Sequence, residues 1–237
     1  MKVVVCIAVW NEEKKIGRVL ERISRELVSD TVVVDDGSTD RTVAVAQAHG
    51  ATILHHPPPR GVGGCIWQGI QYARARGADV IVFLAGNNKD APEEIPRLLK
   101  PIQEDGVDLV QGSRYLPGGR HGGDMPWYRV IGTKYLHPAM FWLATGRWLT
   151  DTTNGFRAFR LAVTADPAIN LDQPWLRRYE LEPYLLYQVV TRGYRVAEVP
   201  VTKLYPPKQQ GYTKMRPLID WWGIVRPLLL LALHLKR

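Results

Sequence analysis

Between Met1 and Glu104, short valine-rich apolar runs alternate with amphipathic stretches at least four times, a pattern few folds accommodate. Val3 to Val9 is apolar without interruption, the mark of a strand buried on both faces. Thr31–Val34, Ala51–Leu54 and Val80–Leu84 read as further strands. Between them, Ile16, Val19, Leu20 and Ile23, then Val43, Ala46 and Gln47, then Ile66, Ile70 and Ala73, recur at helical spacing. Ile95, Leu98 and Leu99 continue the series. Strand and helix joined by short connections predict an α/β fold, a mostly parallel sheet with helices on both faces. Ligands of such sheets bind beyond the C-terminal strand ends, where the strand order switches. Three polar clusters fall at those ends: Trp10-Asn11-Glu12, Asp35-Asp36, and the loop Gly86 to Asp90. They are expected to converge on one crevice.

The rhythm changes after Asp108-Leu109-Val110, through "GSRYLPGGRHGG", an aromatic helical stretch near Trp142, "DTTNGFRAFR", a helix through Tyr184 to Val190, and "YRVAEVPVTKLYP". With no repeat or Ser-rich linker, 1–215 reads as one domain with halves 1–110 and 111–215, followed by a tail, 216–237. The formal charge of +8 suits a solubilising surface or an anionic partner. Cys6 and Cys65 are too few for a disulfide framework and read as reduced core residues, which fits a cytoplasmic protein. No signal peptide and no membrane span is expected. The segment "WWGIVRPLLLLALHLKR" has the Trp pair, Leu run and terminal Lys236-Arg237 of an interfacial anchor. A helix packed on the domain and the stub of a longer membrane region are the alternatives.

The ordered set "VWNEEKKI", "VVDDGSTDRT", "GVGGCIWQGIQYA", "LVQGSRYLPGG", "DTTNGFRAFR" and "AEVPV" resembles the motifs of family 2 glycosyltransferases with the GT-A fold. The later motifs resemble the polyprenyl-phosphate, or dolichol-phosphate mannose synthase, branch. The resemblance spans roughly Val3 to Lys214 and implies transfer, with inversion, of a sugar from a GDP- or UDP-sugar. It assigns 1–110 to the nucleotide sugar and 111–215 to the acceptor. Trp10, Asn11 and Glu12 then fall where the family holds the nucleobase, although Ala8 stands where Pro is more frequent. Asp35 and Asp36 fall where carboxylates accept hydrogen bonds from base or ribose; helix capping with Ser38 and Asp40 is the plainer reading. Gly61, Gly63 and Gly64 allow close backbone approach ahead of a helix N-terminus, which suits a diphosphate. Arg60 could add countercharge, and Lys214 matches a basic residue on a loop after the last strand. Val62 replaces a frequent Lys.

The loop after the fourth strand departs from the resemblance. Aligned on "APEEIP", the family's first Asp falls on Ala85, its second on Asn87, beside Gly86, and its Gln on Lys89. In the family those carboxylates hold Mg²⁺ or Mn²⁺. A hard dication needs oxygen ligands, preferably charged; Ala85 supplies none, Asn87 a neutral carbonyl, and Lys89 repulsion. Three readings stand: Lys89 replaces the metal, Asp90 with Asn87 forms a displaced metal site, or the chain is a non-catalytic nucleotide-sugar binder.

On the acceptor side, the resemblance carries Arg114 and Arg129 toward a lipid phosphate, for which arginine's fork is suited. Asp151, Asn154 and Arg157 fall in the family's D-x-T-S-G-F-R stretch, Asn154 replacing Ser, with Arg157 toward the phosphates. A polyprenyl phosphate acceptor needs no general base; a soluble hydroxyl acceptor does, and Glu182 or Glu180 is the candidate. If that segment is extended, only one of the two faces the crevice. A peripheral position on the inner membrane face is expected. No nucleic-acid partner is expected, because Arg and Lys are scattered rather than gathered in a stripe. His55, His56 and His137 read as structural, and the sequence does not fix the oligomer.

Overall fold

The computed structural model describes residues 1–55, 61–206 and 219–236. The valine-rich runs form β1 (Val3–Val9), β2 (Asp30–Asp35), β3 (Thr52–His55) and β4 (Val80–Ala85). All are parallel, because helices cross back between them: α1 (Ile16–Glu21), α2 (Thr42–Ala48) and α3 (Val62–Ala75). The strand alternation divides the apolar side chains between two layers. Val4 and Cys6 face a core that includes Ile66, Ile70 and Ala73 of α3. Val3, Val5, Ile7 and Val9 face a second core with Ile16 and Val19 of α1, and with Leu98, Leu99 and Ile102 of α4 (Ile95–Glu104). A strand buried on both faces must be apolar throughout, as β1 is.

The sheet has seven strands in the order β3-β2-β1-β4-β7-β5-β8. β5 (Leu109–Ser113) and β8 (Val196–Pro200) are parallel to each other. β7 (Arg157–Arg160) enters antiparallel between β4 and β5, so the second half of the chain completes the sheet begun by the first. The chain leaves β1 for β2 on one side and returns to β4 on the other, which makes the β1/β4 boundary the switch point. There Ala8 lies opposite Ala85 and Val9 opposite Asp35, so three strand ends open at one level.

Two features depart from the sequence reading. The acidic pair Glu12-Glu13, residues typical of a helix N-terminus, precedes the helix: the first helix starts at Ile16, after a turn in which Glu12 O accepts the N–H groups of Lys15 and Ile16, both at 2.9 Å. The Gly-rich stretch after Ser113 contains a strand, β6 (Arg120–Gly123), paired in parallel with β9 (Thr202–Tyr205) as a separate ribbon.

α5 (Trp127–Ile131) runs through a wider π turn, Gly132–Leu136, into α6 (His137–Thr145). α7 (Leu181–Thr191) and α8 (Ile219–Ala232) pack with α6. The described part of the C-terminal segment is therefore a helix on the domain, with Leu228 and Leu231 in the core and Trp222, Leu229, Leu233 and Leu235 exposed. Among the described residues, no helix is long and apolar enough to cross a membrane. Cys6 and Cys65 are buried and free, their thiols pushed up by burial. Replacing Leu228 with Ala is expected to cost about 2–5 kcal/mol in urea unfolding. Trp222→Ala, on the outer face of the same helix, should stay within about 0.5 kcal/mol.

Candidate active site

Beyond the ends of β1, β2 and β4 lies a cavity of about 690 Å³. The N-terminal half contributes Trp10, Glu12, Lys15, Asp36, Asn87 and Lys89 to its lining. Arg114, Arg129, Arg157, Glu182 and Lys203 arrive from the second half. The lining also includes apolar side chains: Leu136 and Met140 from the α5–α6 run, and Trp221, Ile224 and Val225 of α8.

At the donor end, Trp10 is about half exposed and Asn11 holds a left-handed φ of 50°. That turn fits Asn11 between two strands: its N–H donates to Ser38 Oγ at 2.9 Å, and its Oδ1 accepts the Thr39 N–H at 2.8 Å. Asp35 is buried away from the cavity lining and accepts the Ser38 N–H at 3.0 Å, bracing the turn after β2; α2 has no side-chain cap, so the capping reading does not hold. Asp36 does line the cavity and accepts the Gly61 N–H at 3.1 Å. Gly61 lines the cavity, and the N–H groups of Gly61 and Gly64 already have partners within the protein. The Gly64 N–H donates to Arg177 O at 2.9 Å, and a Cβ on Gly63 would lie 2.0 Å from Leu176 O. Close approach of 176–178 to the start of α3 accounts for these glycines without a diphosphate. Arg60, Lys214 and His56 lie outside the described residues.

The loop after β4 is tightly braced. Gly86 is buried, with no room for a side chain against Val9. Asn87 Oδ1 turns back to accept the Lys89 N–H at 3.2 Å. Asn88 sits at φ 57° and accepts Arg22 Nη1 at 3.0 Å. Asp90 is buried outside the cavity lining, its Oδ1 taken by Lys203 Nζ at 2.5 Å. Lys203 Nζ also donates to Asn154 Oδ1 at 3.0 Å. Lys89 lies over the Tyr205 ring, 4.8 Å from its centroid, and Arg129 lies 5.5 Å from the same ring. Burial, then Lys203, Arg129 and Lys15, hold the Lys89 ammonium down to about 7, against a smaller pull from Asp90.

This donor set does not fit a divalent cation. Its one carboxylate is closed off by an ammonium, Asn87 is turned into its own loop, and Lys89 and Lys203 add positive charge. Among the described residues, no three His, Cys, Asp or Glu side chains gather where they could hold a metal. The displaced-ligand reading of Asn87 and Asp90 therefore has no support in the geometry.

On the acceptor side, Arg114 and Asp151 form a buried two-pronged ion pair, with Nε–Oδ2 at 2.6 Å and Nη2–Oδ1 at 2.7 Å. Arg114 also donates to Tyr205 Oη at 3.2 Å and Thr153 Oγ1 at 2.9 Å. Burial pushes the Asp151 carboxyl up, but Arg114 overrides this and leaves it below the usual carboxylate range. Glu198 on β8 fixes the Asp151 loop by accepting the N–H groups of Thr150 at 2.7 Å and Asp151 at 3.0 Å. Arg157 is buried, donating Nη2 to Asn154 O at 2.7 Å, and lies 3.6 Å from Glu182 Oε1.

The segment holding Glu180 and Glu182 is helical rather than extended. Glu182, in the first turn of α7, lines the cavity. Glu180 pairs instead with Arg226 of α8 at 3.0 Å. His137, pulled down to about 4 by burial, is neutral; Thr152 Oγ1 lies 2.6 Å from its Nδ1 and Ile224 O 3.3 Å from its Nε2. It ties α6 to α8. Lys15, Lys203 and Asp220 also line the cavity and were missed from the sequence; Lys203 carried only the signal of following "AEVPV" on a strand.

The Glycosyl transferase family 2 profile matches residues 4–165. An undecaprenyl-phosphate mannosyltransferase of Micrococcus luteus is 32% identical over 223 residues, 91% of this chain and 88% of that one. A polyprenol monophosphomannose synthase of Mycolicibacterium smegmatis is 30% identical over 222 residues, 90% of this chain and 81% of that one. Among solved structures, glucosyl-3-phosphoglycerate synthase from Mycobacterium tuberculosis, in complex with Mn²⁺, UDP and phosphoglyceric acid, superposes with a TM-score of 0.70 at 23% identity. The superposition covers 98% of this chain and 78% of that one. The expected GT-A architecture is thus the observed one.

Removing one half of the buried pair leaves a buried charge uncompensated. Asp151→Asn should cost about 3–5 kcal/mol in urea unfolding, and the joint change of Arg114→Met with Asp151→Leu far less. Because the folded Asp151 value is depressed, the contribution is full near neutrality. It fades as pH falls from about 3.9 toward the lower folded value.

Proposed function

The chain belongs to glycosyl transferase family 2, and we propose that it moves a sugar from a nucleoside diphosphate to the phosphate of a polyprenyl phosphate. The observation that carries this reading is the cavity's mixed lining. Cationic side chains, Lys15, Lys89, Arg129 and Lys203, line it together with apolar Leu136, Met140, Trp221, Ile224 and Val225. A diphosphate and a lipid phosphate need the first; an isoprenoid chain needs the second. The names of the two mannosyltransferase relatives point the same way.

The helices that give the cavity its apolar lining also carry exposed Trp127, Tyr128, Ile131, Tyr135 and Leu136, with Trp222 on α8. Arg129 and Lys134 stand among them. Aromatic rings interspersed with cations suit the headgroup layer of a membrane, where a lipid acceptor would be met. At the other end, Trp10 offers an exposed ring and Asp36 a carboxylate to base and ribose.

The chemistry is a direct displacement. An oxygen of the acceptor phosphate forms a bond to the anomeric carbon from the face opposite the diphosphate. The bond from that carbon to the diphosphate oxygen breaks, and its electron pair departs on the diphosphate. The acceptor is already an anion, so no side chain need remove a proton. Arg114, anchored by Asp151, is a positioning residue that orients Tyr205 and Thr153 at the cavity wall. Arg157 sets the start of α7 through Glu182.

A second reading, transfer to a soluble hydroxyl, draws on Glu182, the cavity carboxylate suited to serve as base. Incubation with GDP- and UDP-sugars, with and without polyprenyl phosphate, tests the pair. The first reading expects a lipid-linked sugar, detected by mass spectrometry, and nucleoside diphosphate released only when lipid is present. It also expects Glu182→Gln to retain transfer within severalfold, whereas loss of a general base would lower the rate by about 10²–10⁴. Absence of lipid product from every donor contradicts it.

A further inference from the structure

Where the family resemblance places two carboxylates and a dication, this chain presents two ammonium groups on a rigid mount. Lys89 leaves the loop after β4, and Lys203 leaves β9, which is drawn against that loop. Asp90 and Lys203 form an antiparallel bridge, and the Leu204 N–H donates to Lys89 O at 2.8 Å. Both lysines line the cavity beside Asn87 and Ala85. Lys203 is held by Asp90 and Asn154, and Lys89 by the face of Tyr205. A cationic pair braced this way needs little reorganisation when an anion arrives, the condition under which fixed charge is most effective.

The charge sum is favourable. A dication held by two carboxylates contributes a formal charge of zero. With Lys89 protonated, Lys89 and Lys203 with Asp90 contribute a formal +1, and Arg129, 5.5 Å from the centroid of the Tyr205 ring, adds to it. The crowding of Lys89 by Lys203, Arg129 and Lys15 is relieved by an anion among them. Ammonium groups make no demand on coordination number, so the loss of the carboxylates leaves a complete site of another kind.

We propose that Lys89 and Lys203 together replace the divalent cation, gripping the donor diphosphate and stabilising the negative charge it gains on leaving. This rests on the reading of the cavity as a nucleotide-sugar site. It predicts an enzyme that binds and uses its donor without metal.

Calorimetric binding of GDP and UDP, in EDTA and in Mn²⁺, tests the proposal without requiring turnover. One of the two diphosphates should bind in EDTA within about twofold of its affinity in Mn²⁺. Lys89→Ala should weaken that binding by about tenfold or more, the worth of a charged hydrogen bond, while leaving the matching nucleoside unaffected. Lys89→Arg should recover part of the loss. Removing Lys203 alone strands Asp90, so its arm is the joint change of Lys203→Met with Asp90→Asn, expected to weaken diphosphate binding likewise. Unaltered binding of the nucleoside shows that each variant is folded. Binding that appears only with Mn²⁺ overturns the proposal. So do variants of both lysines that bind the diphosphate in EDTA as tightly as the unmodified chain, or no binding of either diphosphate. If metal-free binding follows the lysines but no sugar reaches polyprenyl phosphate, the acceptor reading fails and this inference stands.

Discussion

The parallel pairing of β1 with β4, Ala8 opposite Ala85, fixes where everything else in the cavity must be. Because the chain reverses its direction of winding at that pair, the loops after β1 and β4 diverge to opposite sides and leave a crevice between them. The β2 end joins at the same level through Val9 opposite Asp35. The second half then inserts β7 antiparallel beside β4 and carries Arg157 and the Asp151 loop to the crevice. From the far side, β9 bridges to Asp90 and delivers Lys203.

Charge is arranged around that crevice in a consistent way. Arg114, Lys203 and Lys15 each hold a carboxylate, of Asp151, Asp90 and Glu12. These pairs brace the walls and keep the cations in place, since a buried charge without a counterpart would be costly. The balance of the cavity remains positive, which suits a substrate that brings two phosphates and an acceptor that brings another. The same helical run and α8 that give the cavity its apolar lining also carry exposed aromatic side chains, Trp127, Tyr128, Tyr135 and Trp222.

Much of this was legible in the sequence. The uninterrupted apolar run of β1 and the polar residues after β1, β2 and β4 follow from periodicity alone, and their convergence follows from sheet topology. Long-range choices were not legible. Lys203 meets Asp90 across 113 residues, and nothing local in "VPVTKLYP" says that the strand turns away from the main sheet. Glu180 and Glu182 look alike in "YELEPYL". Only the helix start at Leu181 separates them, turning one toward Arg226 and the other into the cavity. The glycines of α3 read as a phosphate cradle because close approach to a ligand and close approach to 176–178 require the same residue.

A lipid phosphate acceptor and a donor site whose cation is built from side chains would share one cavity. One measurement addresses both, the initial rate of sugar transfer into the lipid phase with polyprenyl phosphate and a matched nucleotide sugar, with excess EDTA against added Mn²⁺. Lipid-linked product is expected at the same rate in both. Product that disappears in EDTA and returns with Mn²⁺, or no lipid product in either, would contradict that expectation.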